Sequence, residues 1–125
     1  MADDNQDLQK SNYNLDIASA VLPDVDWPTM TVVSGNPVVR YLPLSVNREI
    51  GIERGLWEIT ESVIEDTETD EMFVVVLGRA TVAFLDEGGR AIELVPGTVG
   101  FFKEGSRTRW TTHETLRKVY QIPSG

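Results

Sequence analysis

The run Phe73-Val74-Val75-Val76-Leu77 is apolar at every position. A β-strand sends successive side chains to opposite faces, so both faces of this strand must be covered, whereas a half-exposed antiparallel strand would alternate. From Trp27 onward the chain keeps this texture: short runs rich in β-branched and aromatic residues, separated by turn chemistry at Ser34-Gly35-Asn36-Pro37, Asp86-Glu87-Gly88-Gly89, Pro96-Gly97 and Glu104-Gly105-Ser106. The pattern predicts strands over 30–33, 38–44, 52–62, 72–77, 80–86, 91–94, 100–103, 108–112 and 116–122. Many short strands at near-regular spacing predict an all-β sandwich or barrel. In a barrel, one face of the 73–77 strand fills the lumen. The other is then covered by a second sheet, by the N-terminal arm or by a second subunit, and a homodimer is the expectation.

The 125 residues suffice for one domain and one core. There is no cysteine, which excludes disulfides, thiolate zinc sites and cysteine nucleophiles and fits a reducing cytoplasm. The start, Met1-Ala2-Asp3-Asp4-Asn5-Gln6-Asp7, is acidic and polar, unlike a secretory signal, and no apolar run reaches the length of a membrane span. A cytoplasmic protein with no membrane partner is expected. A net charge of -9 opposes phosphate backbones, so nucleic acid is not an expected partner.

Residues 1–13 lack periodic apolar positions and read as a frayed leader. Asn14 is placed to cap a short helical turn through Leu15, Ile17, Ala18, Val21 and Leu22, ended by Pro23. Residues 1–24 are thus expected to be an arm and 25–125 a single domain.

From Ser34 to Ile122 the chain resembles the cupin superfamily, in particular the small single-domain group related to ureidoglycine aminohydrolase and the ethanolamine-utilisation cupins. The resemblance is carried by Ser34-Gly35-Asn36-Pro37, Gly55-Leu56-Trp57-Glu58, the stretch from Asp70 to Gly78, Glu87-Gly88-Gly89, Pro96-Gly97, Phe102-Lys103-Glu104-Gly105, Arg109-Trp110 and Arg117-Lys118-Val119-Tyr120. It implies a cupin-type antiparallel β-barrel, also described as a double-stranded β-helix or jelly roll. In the family's first motif a histidine pair precedes a glutamate, and a glycine follows that glutamate after six residues. Glu71 and Gly78 match the last spacing, but the histidine places fall on Ile64 and Asp66, on Glu65 and Thr67, or on Glu61 and Val63. In the second motif Gly97 and Gly105 fit, Lys103 stands at the proline and Thr108 at the final histidine. The single histidine, His113, lies outside both motifs and reads as an ordinary loop or surface residue. No metal and no other cofactor is therefore expected, and the metal-dependent activity of ureidoglycine aminohydrolase is not carried over.

If Glu71 points inward as the family glutamate does, the two-residue period takes Phe73 and Val75 inward with it, and Thr108 takes Trp110 inward. Trp57 is expected to face them. These side chains either line a small-ligand pocket or plug the barrel. Glu71 is the best candidate for a general acid or base, although an ion pair with Lys118, Arg109 or Arg117 is its more economical use. Arg107, Arg109, Arg117 and Lys118 could hold an anionic substrate group, but alternation puts Arg107 and Arg109 on the face opposite Trp110, where surface pairing with the acidic 58–71 segment is the more economical use. Lys118, sharing a face with Tyr120, is the basic residue expected at the site. The carboxylates Glu65, Asp66, Glu68, Asp70 and Glu71 could in principle attract a hard cation, but a solvated hairpin turn explains them with fewer assumptions.

The function expected from these residues is metal-independent binding of a small polar or anionic metabolite in the lumen, through Trp57, Phe73, Thr108, Trp110, Lys118 and Tyr120. A catalytic step is left unassigned. The alternatives are an enzyme related to the ureidoglycine or ethanolamine-utilisation cupins, acting through Glu71 or an atypical divalent cation, and an oligomerising module whose lumen is filled.

Overall fold

The computed structural model describes residues 11–124. The proposed leader therefore lies largely outside the described residues. The chain is all-β, with strands β1 (Asp24–Val25), β2 (Thr31–Ser34), β3 (Val39–Asn47), β4 (Ile52–Ile59), β5 (Ser62–Thr67), β6 (Glu71–Phe84), β7 (Arg90–Leu94), β8 (Val99–Phe102) and β9 (Arg107–Pro123). Every pairing is antiparallel. The sheet curls into an antiparallel β-barrel.

The barrel is organised by its two longest strands. On one edge β9 pairs first with β5 and then with β4, and on the other it pairs with β6 along most of its length. The 72–77 and 80–86 runs, expected as separate strands, merge into β6, which ends at Phe84, and Leu85–Glu87 form a 3-10 turn. Likewise 108–112 and 116–122 are both parts of β9. The apparent breaks are bends: the β6–β9 register shifts between Val75 and Ala80. At this corner Gly78 takes φ +87°, and a Cβ there would lie 2.0 Å from the carbonyl oxygen of Thr115. Only glycine lets the two backbones approach this closely.

Two expectations at the ends of elements need correction. The strand predicted over 52–62 stops at Ile59, and Ser62 already begins β5, a strand absent from the sequence reading. The helical turn expected over 15–22 is instead a single turn in which Asp16, not Asn14, accepts from the Ala18 N–H (3.0 Å). β-branched Ile17 and Val21 disfavour helix, and tertiary contacts provide other partners. The Arg117 guanidinium donates to the carbonyls of Ile17 (2.9 Å) and Ala18 (3.3 Å). The expected 24/25 boundary falls inside β1, which pairs with β3.

The core fills the inner face of the long strands, whereas β2 is exposed throughout and β4 is buried on both faces from Gly55 to Ile59. The inward residues of β9 are Thr108, Trp110, Thr112, Leu116, Lys118 and Tyr120, all buried. Their cross-strand partners share that face: Ile64 and Val82 flank Trp110, Trp57 and Val75 flank Lys118, and Phe73 flanks Tyr120 opposite Gly55. Phe102 of β8 closes against Phe73, Phe84 and Trp110. Among the described residues, Met72, Val74, Val99 and Phe101 stand exposed on the outer face of β6 and β8. Met72 pairs with Phe101 and Val74 with Val99, and Phe101 is 69% exposed.

Candidate functional site

Inside the barrel lies a cavity of about 260 Å³. Its walls are Trp27, Tyr41, Trp57, Trp110 and Tyr120 together with Ile64 and Ile122. Its polar groups are Asp66, Glu68, Glu71 and Lys118, and the exposed threonines Thr29, Thr67 and Thr69 mark its mouth. All three tryptophans of the chain line it. The rings do not plug the lumen. They stand along its wall, with Trp57 tilted against Trp110 at 5.4 Å between centroids and edge-on to Trp27 at 6.1 Å.

At the inner end, Lys118 Nζ sits 2.8 Å from Glu71 Oε2, and both side chains are almost fully buried. Four rings surround the ammonium: Trp57 at 4.6 Å, Phe73 at 4.8 Å, Trp110 at 5.2 Å and Phe102 at 5.5 Å from their centroids. Burial of this charge is offset by one carboxylate and by the negative ring faces. The pairing arises because Lys118 is the inward residue of β9 between Trp57 and Val75, while Glu71 opens β6.

Beside the pair stands Glu68, in the loop between β5 and β6. Its backbone is pinned to the neighbouring turn by Glu68 N–H to Ser106 O (2.8 Å) and Gly105 N–H to Glu68 O (2.9 Å). Its Oε2 accepts from the Thr108 hydroxyl (2.7 Å) and from the Trp110 indole N–H (3.0 Å). Burial raises its pKa above the ordinary glutamate value. The positive charge of Lys118 and the two hydrogen bonds work against that rise, and the nearby Glu71 adds to it. Toward the mouth, Asp66 accepts from Trp27 Nε1 (3.1 Å). The hydroxyls of Tyr41 and Tyr120 both donate to Glu53, with their rings stacked at 5.5 Å. Burial first, and the bond to Glu53 second, raise the pKa of Tyr41, while burial, then the adjacent Tyr41 hydroxyl and Glu53, raise that of Tyr120. Both phenols stay protonated. Two buried side-chain atoms have no partner among the described residues, the indole nitrogen of Trp57 and Oγ1 of Thr112.

Of the residues expected at the site, Glu71, Trp57, Trp110, Lys118 and Tyr120 line one cavity. Phe73 and Thr108 do not. Both are fully buried behind the wall, Phe73 against Lys118 and Phe102, and Thr108 holding Glu68. Lys118 is the partner Glu71 takes, of the three considered. Arg109 pairs at the surface with Glu65 (2.9 Å) and Arg107 with Asp86 (3.5 Å). Arg107 corrects the expected pairing with the 58–71 segment, since Asp86 lies outside it, and Arg117 is buried, bonded to Glu58 (2.9 Å), and clamps the N-terminal turn. His113 lies within β9, not in a loop, and its Nε2 meets Thr81 Oγ1 at 3.0 Å. Asp66, Glu68, Trp27 and Tyr41 were not foreseen. The acidic 65–71 stretch is not a solvated hairpin: Asp66 belongs to β5, and Glu68 turns into the barrel.

The residues at the family's metal position do not fit a divalent ion. Glu71 is committed to an ammonium and Thr108 to Glu68. Among the described residues no group of three or more His, Cys, Asp or Glu side chains is arranged to hold a metal. Nor is any described helix long and apolar enough to cross a membrane.

Residues 48–120 match the family model of the EutQ-like cupin domain. Among solved structures, the chain is similar to the EutQ protein of Clostridium difficile, with 18% identity and a TM-score of 0.68 over 89% of this chain and 86% of that one. It is also similar to a DUF861-family protein of unknown function from Pseudomonas syringae pv. tomato, with 22% identity and a TM-score of 0.68 over 83% of this chain and 45% of that one. A DUF861-family protein from Thermotoga maritima is 28% identical over 54% of this chain and 75% of that one, with a TM-score of 0.50. No curated protein matches the chain.

Proposed function

This chain belongs to the EutQ-like cupin domain family, and from that premise we propose that it binds a small polar metabolite in its barrel, in the cytoplasm and without a metal ion. The observation that carries this reading is the open cavity of about 260 Å³, which combines aromatic walls with a few convergent polar groups. Small-ligand sites have that composition, and the volume sits just below the roughly 300–1,000 Å³ of drug-sized sites, the scale of a small metabolite.

The test uses the whole chain, with a chelator present throughout. A panel of small metabolites is screened by thermal shift, and hits are confirmed by calorimetry and by the fluorescence of the three tryptophans. A ligand in the lumen is expected to perturb that fluorescence and to lose binding in Thr69→Trp, which narrows the mouth from an exposed position. Binding that Thr69→Trp leaves intact, or that vanishes on chelation, overturns the reading.

The uncovered strip of Met72, Val74, Val99 and Phe101 supports a homodimer, with a second copy of the chain covering the outer face of β6 and β8. Light scattering at micromolar concentration is expected to give a dimer mass, and Phe101→Glu a monomer with unchanged circular dichroism. A monomeric parent chain would remove the dimer.

A further inference from the structure

We infer that the ligand of this lumen is an organic cation, an amine or ammonium compound held by Glu68 and the aromatic wall. This rests on the reading that the lumen binds a ligand, and it narrows the class. Three carboxylates line the cavity, Asp66, Glu68 and Glu71, against one cation, Lys118. Glu53 adds a fourth carboxylate just behind Tyr41 and Tyr120.

Lys118 is not available to an anion. Its ammonium is bound to Glu71 at 2.8 Å, its side chain is 5% exposed, and four ring faces enclose it. An anionic ligand would have to displace Glu71 while facing Asp66 and Glu68, and like charges at close range in a poorly solvated site are costly. The lumen therefore does not favour the anionic metabolites expected from the sequence.

Glu68 has the opposite property. Its two hydrogen bonds, from Thr108 and Trp110, both end on Oε2, both come from neutral donors, and among the described residues Oε1 accepts none. No side chain neutralises it by direct contact. A carboxylate in this condition gains most from an incoming N⁺–H donor or ammonium charge. The wall also holds an ammonium already: Trp57 and Trp110 each contact Lys118 and also line the cavity, and Trp27 and Tyr41 extend the aromatic surface toward the mouth. Ring faces attract cations by roughly 0.5–2 kcal/mol, more when water is excluded. A divalent metal is a poor alternative occupant, because it needs several oxygen ligands at once and Lys118 already holds the place beside Glu71.

An isosteric series separates charge from shape: n-butylammonium chloride, n-butanol and sodium butyrate, titrated by calorimetry into the full chain with chelator present. The expected result is that butylammonium binds at least about tenfold more tightly than butanol, a difference of about 1.4 kcal/mol, and that butyrate is the weakest. Glu68→Gln should remove most of that preference while leaving butanol affinity within about twofold. If Glu68→Gln fails to fold, Trp27→Ala, at the partly exposed mouth, should lower the butylammonium affinity more than that for butanol. Butanol or butyrate binding as tightly as butylammonium overturns the cation assignment and leaves the lumen reading standing. No heat from any of the three, at millimolar concentration, overturns both.

Discussion

Lys118→Met is expected to cost about 3–5 kcal/mol of stability, because it strands Glu71 as a buried charge without its partner and takes the nearest positive charge from Glu68. Against a total stability of about 5–15 kcal/mol this is enough to unfold a large fraction of the chain. The measurement is urea denaturation followed by tryptophan fluorescence. The deficit should shrink as pH falls toward the ordinary carboxylate range, since burial raises the Glu68 pKa, loss of the Lys118 charge removes what opposes that rise, and a protonated Glu68 carries no unpaired charge. The double variant Lys118→Met/Glu71→Gln should recover most of the loss, because it replaces a broken ion pair by a neutral one. A single variant within about 1 kcal/mol of the parent chain would mean that the ammonium is not held as the structure places it.

Gly78→Ala should cost about 2–4 kcal/mol through two additive causes. At φ +87° an L side chain is strained, and the new methyl would fall 2.0 Å from the Thr115 carbonyl oxygen, a backbone atom that cannot swing aside. The bends of β6 and β9 coincide at this point, so the strain spreads to the register that places Lys118 beside Trp57 and Val75. By contrast, Gly88→Ala carries a positive φ but meets nothing within 4 Å, and should lose about 1 kcal/mol or less. Equal losses at the two positions, read from urea midpoints, would show that conformation alone matters and that the close approach does not.

The proposed cation site and the Lys118 prediction share one physical basis, an excess of carboxylate over ammonium in a lumen walled by rings. They can fail separately. Stability reports on the internal pair, whereas the butyl series reports on what Glu68 does with a guest.

Much of the fold was legible because β-structure writes itself with a two-residue period. The run at 73–77, the glycine-marked turns and the spacing of Glu71 and Gly78 pointed to the barrel, to its family and to the inward direction of Trp57, Trp110, Lys118 and Tyr120. β5 was invisible because its inward residues include Ser62 and Asp66. A strand facing a polar lumen breaks the apolar alternation that reveals a strand facing a dry core. The arm was misjudged for a related reason, since its local preferences are weak and the bonds that shape it come from Arg117, about a hundred residues away.

The sequence by itself determined the class of fold through local periodicity, while its motif spacing carried the resemblance to a barrel family, from which the inward direction of the long-strand side chains followed. Only the tertiary structure decided the partners: that Lys118 rather than Arg109 or Arg117 meets Glu71, that Thr108 and Phe73 stand behind the wall, and that Glu68 lies on it. Charge pairing and cavity shape depend on which strands lie side by side and on where β6 and β9 bend, and that information is spread across the whole chain.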